Sequence, residues 1–124
     1  MNKLNKDRLV FLEETIAFYS EDTSRRAVRE DGMCMYKTSD GRSCAIGRHI
    51  SPTKYRKDLE EISFSISLFR GVLPNEYISL GNLFLGEIQY FHDEECFWSY
   101  SGLTEAGIFE LNRMKLAIKN GGYD

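Results

Sequence analysis

Across residues 75–91, apolar side chains recur at three-and-four spacing: Tyr77, Leu80, Phe84, Ile88 and Phe91. That is the period of one helix face. It predicts a helix that opens at Pro74 or Asn75 and runs to His92 and Asp93. A face this apolar has to be covered, so the rest of the chain must supply a core around it. Gly81 and Gly86 lie within the segment, each weakening a helix by about 1 kcal/mol relative to Ala, which implies a closely packed neighbour rather than a free surface. With 124 residues, 42% of them hydrophobic and 13% aromatic, the chain has the material for one compact core.

Two more helices complete the outline. Asn5 or Asp7 can cap a first helix carrying Leu9, Leu12, Ile16 and Tyr19, widened by Phe11 and Phe18 and ending near Ser20. Thr104 can cap a last one with Ile108, Leu111, Met114 and Ile118 on one face, stopped by Gly121 and Gly122. Residues 21–32 are polar and aperiodic, a loop with one helical turn around residues 25–29. In residues 33–44 the turn signal Ser39, Asp40, Gly41 predicts a β-hairpin. Ser43 is placed to cap a short helix beginning at Cys44, Pro52 to start another, and residues 53–61 read as helical surface. Residues 62–69 alternate apolar and Ser, which suggests an extended start followed by a short helix. The expected fold is α+β, a predominantly helical single domain over residues 1–124, with four or five helices around a small β-hairpin.

The formal charge of −3 offers no general attraction for phosphate backbones, so nucleic acid is not the expected partner. Cys34, Cys44 and Cys96 are an odd set without a secretory leader pattern, which points to a reduced, cytoplasmic setting. No apolar run reaches the roughly 18 residues a bilayer requires, so no membrane partner is expected. A homo-oligomer remains open.

Three constellations bear on chemistry. Cys44 at a helix start, with His92 and Asp93 downstream, has the order of a cysteine hydrolase, since helix amides favour a thiolate and an imidazole can activate it. Asp93 is expected to diverge from its neighbour His92, and the competing reading makes Cys44 a small packing residue. Cys34, Cys44, His92 and Cys96 are a conceivable zinc set, but without the close cysteine pair that structural zinc sites bring. Neither a metal nor any other cofactor is therefore expected. Arg42, Cys44 and Arg48 around a helix start, with Tyr36, Tyr90, His92, Asp93 and Trp98, could hold an anionic, planar ligand. Nucleotide-loop, dinucleotide, zinc-protease and serine-hydrolase signatures are absent. The paired carboxylates Glu13 and Glu14, Glu60 and Glu61, and Glu94 and Glu95 read as solvated faces, and His49 as a surface residue.

The C-A-I-G-R sequence at residues 44–48, together with LGEIQYFHDEECFWSYSGLTEAG at residues 85–107, resembles a family of small proteins of bacteriophages and bacterial mobile elements. The resemblance carries no activity with it. It implies an accessory protein in the host cytoplasm that acts on host machinery, including defence systems. The expected function is thus non-enzymatic binding: sequestering an anionic, nucleotide-like signal or gripping a host protein directly, with a Cys44 and His92 hydrolase as the alternative.

Overall fold

A computed structural model describes residues 1–29 and 34–124. The fold is predominantly helical α+β with a small antiparallel hairpin. Its contacts gather into two compact units, Met1–Arg25 with Glu94–Asp124, and Arg26–Asp93.

The first unit is built on α1, Lys3–Glu21, and α5, Glu105–Lys119. Asn2, rather than Asn5 or Asp7, caps α1, its side-chain oxygen accepting from the Asn5 amide at 2.8 Å. The buried face of α1 carries Phe11, Leu12, Ile16 and Tyr19, and also Asn5, Arg8 and Thr15. Thr104 caps α5 as its sequence suggests, accepting from the Gly107 amide at 3.1 Å. The inward face of α5 is Gly107, Met114 and Ile118, whereas Ile108 is half-exposed. Ten residues turn a helix by about 1000°, which puts Ile108 about 80° away from Ile118 and off the buried face. Gly107 takes the inward place because a Cβ there would come within 2.2 Å of the Phe97 carbonyl oxygen. The hairpin lies between these helices in sequence, β1 Trp98–Ser99 paired with β2 Gly102–Leu103.

The second unit packs Tyr36, Ile46, Ile50, Leu59, Phe69, Phe84, Leu85, Ile88 and Phe91 into its core. The hairpin predicted at residues 33–44 is reduced to one antiparallel bridge, Lys37 with Ser43, around a turn in which the Thr38 amide donates to the Arg42 carbonyl at 2.9 Å. Met33 lies outside the described residues. Strands do not develop because the Tyr36 and Lys37 amides donate to the Glu60 carboxylate, at 2.8 and 3.0 Å, instead of to a ladder. Cys44 does not begin an α-helix either. The chain makes a 3-10 turn at Gly47–His49, and after Pro52 it turns again before a second 3-10 segment, Lys57–Glu61. Residues 62–65 carry no helix, and α2 follows at Ile66–Phe69.

The helix expected over residues 75–91 is two helices, α3 Asn75–Ile78 and α4 Asn82–Asp93. Gly81 separates them with φ +99, a left-handed conformation that side-chain-bearing residues seldom adopt. Gly86 is within α4 but nothing lies within 4 Å of where its Cβ would be, so the close neighbour expected there is not supplied by this chain's described residues. No helix among the described residues is long and apolar enough to cross a membrane.

Candidate functional site

In the second unit, Arg26 draws together the Arg42 turn and the end of α4. Its Nε donates to the His92 carbonyl at 2.8 Å and its Nη2 to the Asp93 carbonyl at 3.2 Å, meeting the free carbonyls that a helix end leaves. Arg42 in turn donates from Nη1 to the Arg26 carbonyl at 2.9 Å and the Val28 carbonyl at 3.3 Å, and from Nε to both Asp40 oxygens at 3.1 Å. The Thr38 hydroxyl, followed by Arg42, holds the Asp40 carboxyl below the usual range. A guanidinium with this many internal acceptors is a brace for the turn. It is not the open anion receptor that the sequence suggested.

His92 is buried, and both ring nitrogens have partners. Nδ1 lies 2.7 Å from Asp93 Oδ1, and Nε2 accepts from the Ala27 amide at 3.3 Å. An acceptor role for Nε2 requires the neutral ring with its proton on Nδ1. Burial lowers the His92 pKa below its ordinary value, opposed by the hydrogen bond and charge of Asp93, which agrees with the neutral form. The expectation that Asp93 diverges from His92 is overturned. Gln89, one turn earlier on α4, donates to the same Asp93 oxygen at 2.9 Å and holds the carboxylate on the histidine's side. The other end of Gln89 accepts from the Ile46 amide at 3.2 Å, fastening the 44–48 corner to α4.

Cys44 is fully buried, and its sulfur accepts from the Gly47 amide at 3.2 Å. Burial pushes the thiol up to about 12, more than the surrounding hydrogen bonds pull it down. A cysteine and histidine couple needs the proton to pass from sulfur to imidazole. Here burial raises the thiol and lowers the imidazole, which opposes that transfer. The helix start meant to favour a thiolate is also missing. These surroundings weigh against the pair as nucleophile and base.

The described residues do not bring the zinc set together. Both His92 nitrogens are committed, and Cys34 is pushed up to about 12, by burial first and then by a hydrogen bond to Asp93. Among the described residues no group of three or more His, Cys, Asp and Glu side chains could hold a metal. Cys96 is exposed and belongs to the first unit.

The other ligand candidates have structural surroundings of their own. Tyr36 donates its hydroxyl to the Ile62 carbonyl at 2.6 Å and packs on Phe69, with ring centroids 5.2 Å apart. Arg48 lies in the 3-10 turn, its amide bonded to the Cys44 carbonyl at 3.0 Å. Tyr90 is half-exposed on α4. Trp98 is in the first unit, buried edge-on against Tyr19 at 6.2 Å. His49 is not simply a surface residue, because its ring stacks on Tyr77 at 4.3 Å.

Sequence reasoning missed Glu60 and Gln89. Besides the two amides, Glu60 takes the Tyr55 hydroxyl at 2.5 Å, so one member of a supposed solvated pair anchors three partners. Single polar residues in these positions carry no periodic signal. Comparisons with protein-family models, with curated proteins and with solved structures find no match.

Proposed function

We propose that this chain is a non-enzymatic binding protein that grips another protein through the outer face of α5. One observation carries the reading: Ile108, Phe109 and Leu116 are 50%, 73% and 58% exposed. Phe109 and Leu116 are seven residues apart and so lie within about 20° around the helix, with Ile108 about 80° from Leu116. Burying one such side chain in a partner stabilises a complex by about 1.5–3 kcal/mol, and central aromatic anchors of this kind dominate many interfaces. The anionic-ligand reading has less support, since Arg42, His92 and Tyr36 direct their polar atoms to the protein's own groups. The resemblance to phage and mobile-element proteins extends the proposal to an accessory protein that inhibits a host protein, including one of a defence system.

A photo-reactive residue at position 116 tests it in living cells. The expected result is a covalent adduct with a second kind of protein. Phe109→Asp in the same chain should reduce that adduct at least tenfold with an unchanged circular dichroism spectrum. An adduct that survives Phe109→Asp, or one formed only with another copy of this chain, overturns the proposal.

A further inference from the structure

A hollow of about 470 Å³ opens within the first unit, where the end of α1 and the 3-10 turn Thr23–Arg25 face the tip of the β1–β2 hairpin. That is the size of a small-ligand pocket. Ser20, Asp22, Thr23 and Ser24 line one side with Glu21, and Tyr100 and Ser101 line the other. The sides are tied together by the Thr23 hydroxyl, which donates to the Tyr100 carbonyl at 3.3 Å, and the Ser99 hydroxyl closes the hairpin tip on the Gly102 carbonyl at 2.9 Å. The Tyr100 side chain takes no part in the core, being 100% exposed. No Lys, Arg or His belongs to the lining. α1 also ends against the usual preference, on Glu21 and with no basic residue in its last turn, although the carbonyls there carry partial negative charge. Arg25 answers part of this, donating from Nη1 to the Phe18 carbonyl at 2.9 Å and from Nη2 to Glu21 at 3.0 Å. Asp22 has no cation within ion-pair distance among the described residues. The Ser24 hydroxyl and amide donate to its Oδ1 at 2.6 and 3.0 Å and hold the carboxyl below the usual range, which leaves Oδ2 as an oriented acceptor on an ionised group.

We propose that this hollow binds an alkylammonium group, its nitrogen on Asp22 Oδ2 and its chain against the Tyr100 ring. Three features favour this. An ammonium has three donors and no acceptor, the complement of a lining made of carboxylate, hydroxyl and carbonyl oxygens. The face of a tyrosine attracts a cation within about 6 Å of its centre and gives the methylene chain an apolar surface to cover. No group of three or more His, Cys, Asp and Glu side chains among the described residues could hold a metal, so an organic cation suits the site better than a metal ion. The same chemistry is offered by a free diamine and by the lysine side chain of a peptide. The proposal is independent of the α5 reading.

Titration of the full chain with putrescine, followed through its amide chemical shifts by NMR, tests it. Amides of residues 20–24 and 99–102 should move along a saturating curve, while sodium chloride at equal ionic strength and butanediol, the uncharged analogue, leave them in place. Asp22→Asn, which keeps the oxygen that Ser24 uses, should weaken binding about fivefold. Tyr100→Ala should weaken it about threefold and Tyr100→Phe should not, because the ring and not the hydroxyl is engaged. A blocked peptide with a single lysine separates the two sources: tighter binding than putrescine assigns the site to a lysine side chain, weaker binding to a free amine. Shifts that sodium chloride reproduces, or an affinity unchanged in Asp22→Asn, overturn the site. Butanediol binding as well as putrescine overturns its assignment to ammonium groups, and an affinity unchanged in Tyr100→Ala overturns the part given to the ring.

Discussion

His92 satisfies a backbone amide through one nitrogen and a carboxylate through the other, and this makes its charge state a matter of stability. Its pKa is lowered in the folded protein. Below the ordinary histidine value of about 6.5, the unfolded chain therefore binds more protons than the folded one, and stability rises with pH through that window. The contribution is present above about pH 6.5 and is lost as the pH falls. The thermal midpoint should accordingly drop by several degrees between pH 7.5 and 5.5, and His92→Gln should lower the midpoint at pH 7.5 while flattening the dependence. A dependence that is equally steep in His92→Gln would assign the effect to other groups. At this scale the sequence was informative about residue type and silent about partners. It marked Cys44, His92 and Asp93 as worth attention, but nothing in the spacing shows that Gln89 turns Asp93 toward His92.

Among the elements, helix ends and apolar periods were legible, and interruptions were less so. Thr104 as the cap of α5 and Gly121 as its stop follow from local chemistry that acts within one turn. The break at Gly81 is a left-handed glycine, a local feature that an apolar period passes over, whereas the reduced hairpin near residue 40 involves a distant group, the Glu60 carboxylate, that periodicity does not show. Two glycines show how position decides cost. At Gly47 a Cβ would come within 1.9 Å of the Tyr36 carbonyl oxygen, whereas at Gly86 it meets nothing within 4 Å. Gly47→Ala should destabilise by about 3 kcal/mol, since backbone must move. Gly86→Ala should stabilise by about 0.5–1 kcal/mol, since alanine restricts the unfolded helix segment. Urea denaturation of both variants checks the opposite signs.

On the scale of the molecule, the chain completes its first unit only after traversing the second. Residues 1–25 wait for residues 94–124, while residues 26–93 are contiguous. Loop closure across so long an interval costs more entropy than local contacts do, so the contiguous unit has the kinetic advantage. During refolding with pulsed hydrogen exchange, amides in α4 should gain protection before those in α1, and α1 no sooner than α5. Protection of α1 first would contradict this order. The coarse class was readable because helical periods dominate the composition, but a discontinuous unit leaves no mark in a pattern that is read ten residues at a time.

The inward stripe of α1, with Phe11, Leu12, Ile16 and Tyr19, has its match on α5, more than eighty residues later in the sequence. A ribosome working at roughly 5–20 residues per second leaves that stripe wet for several seconds before the match emerges. The nascent polypeptide is thus a natural client for holdase chaperones, and its yield in a cell should depend on them more than the finished protein's melting temperature would suggest.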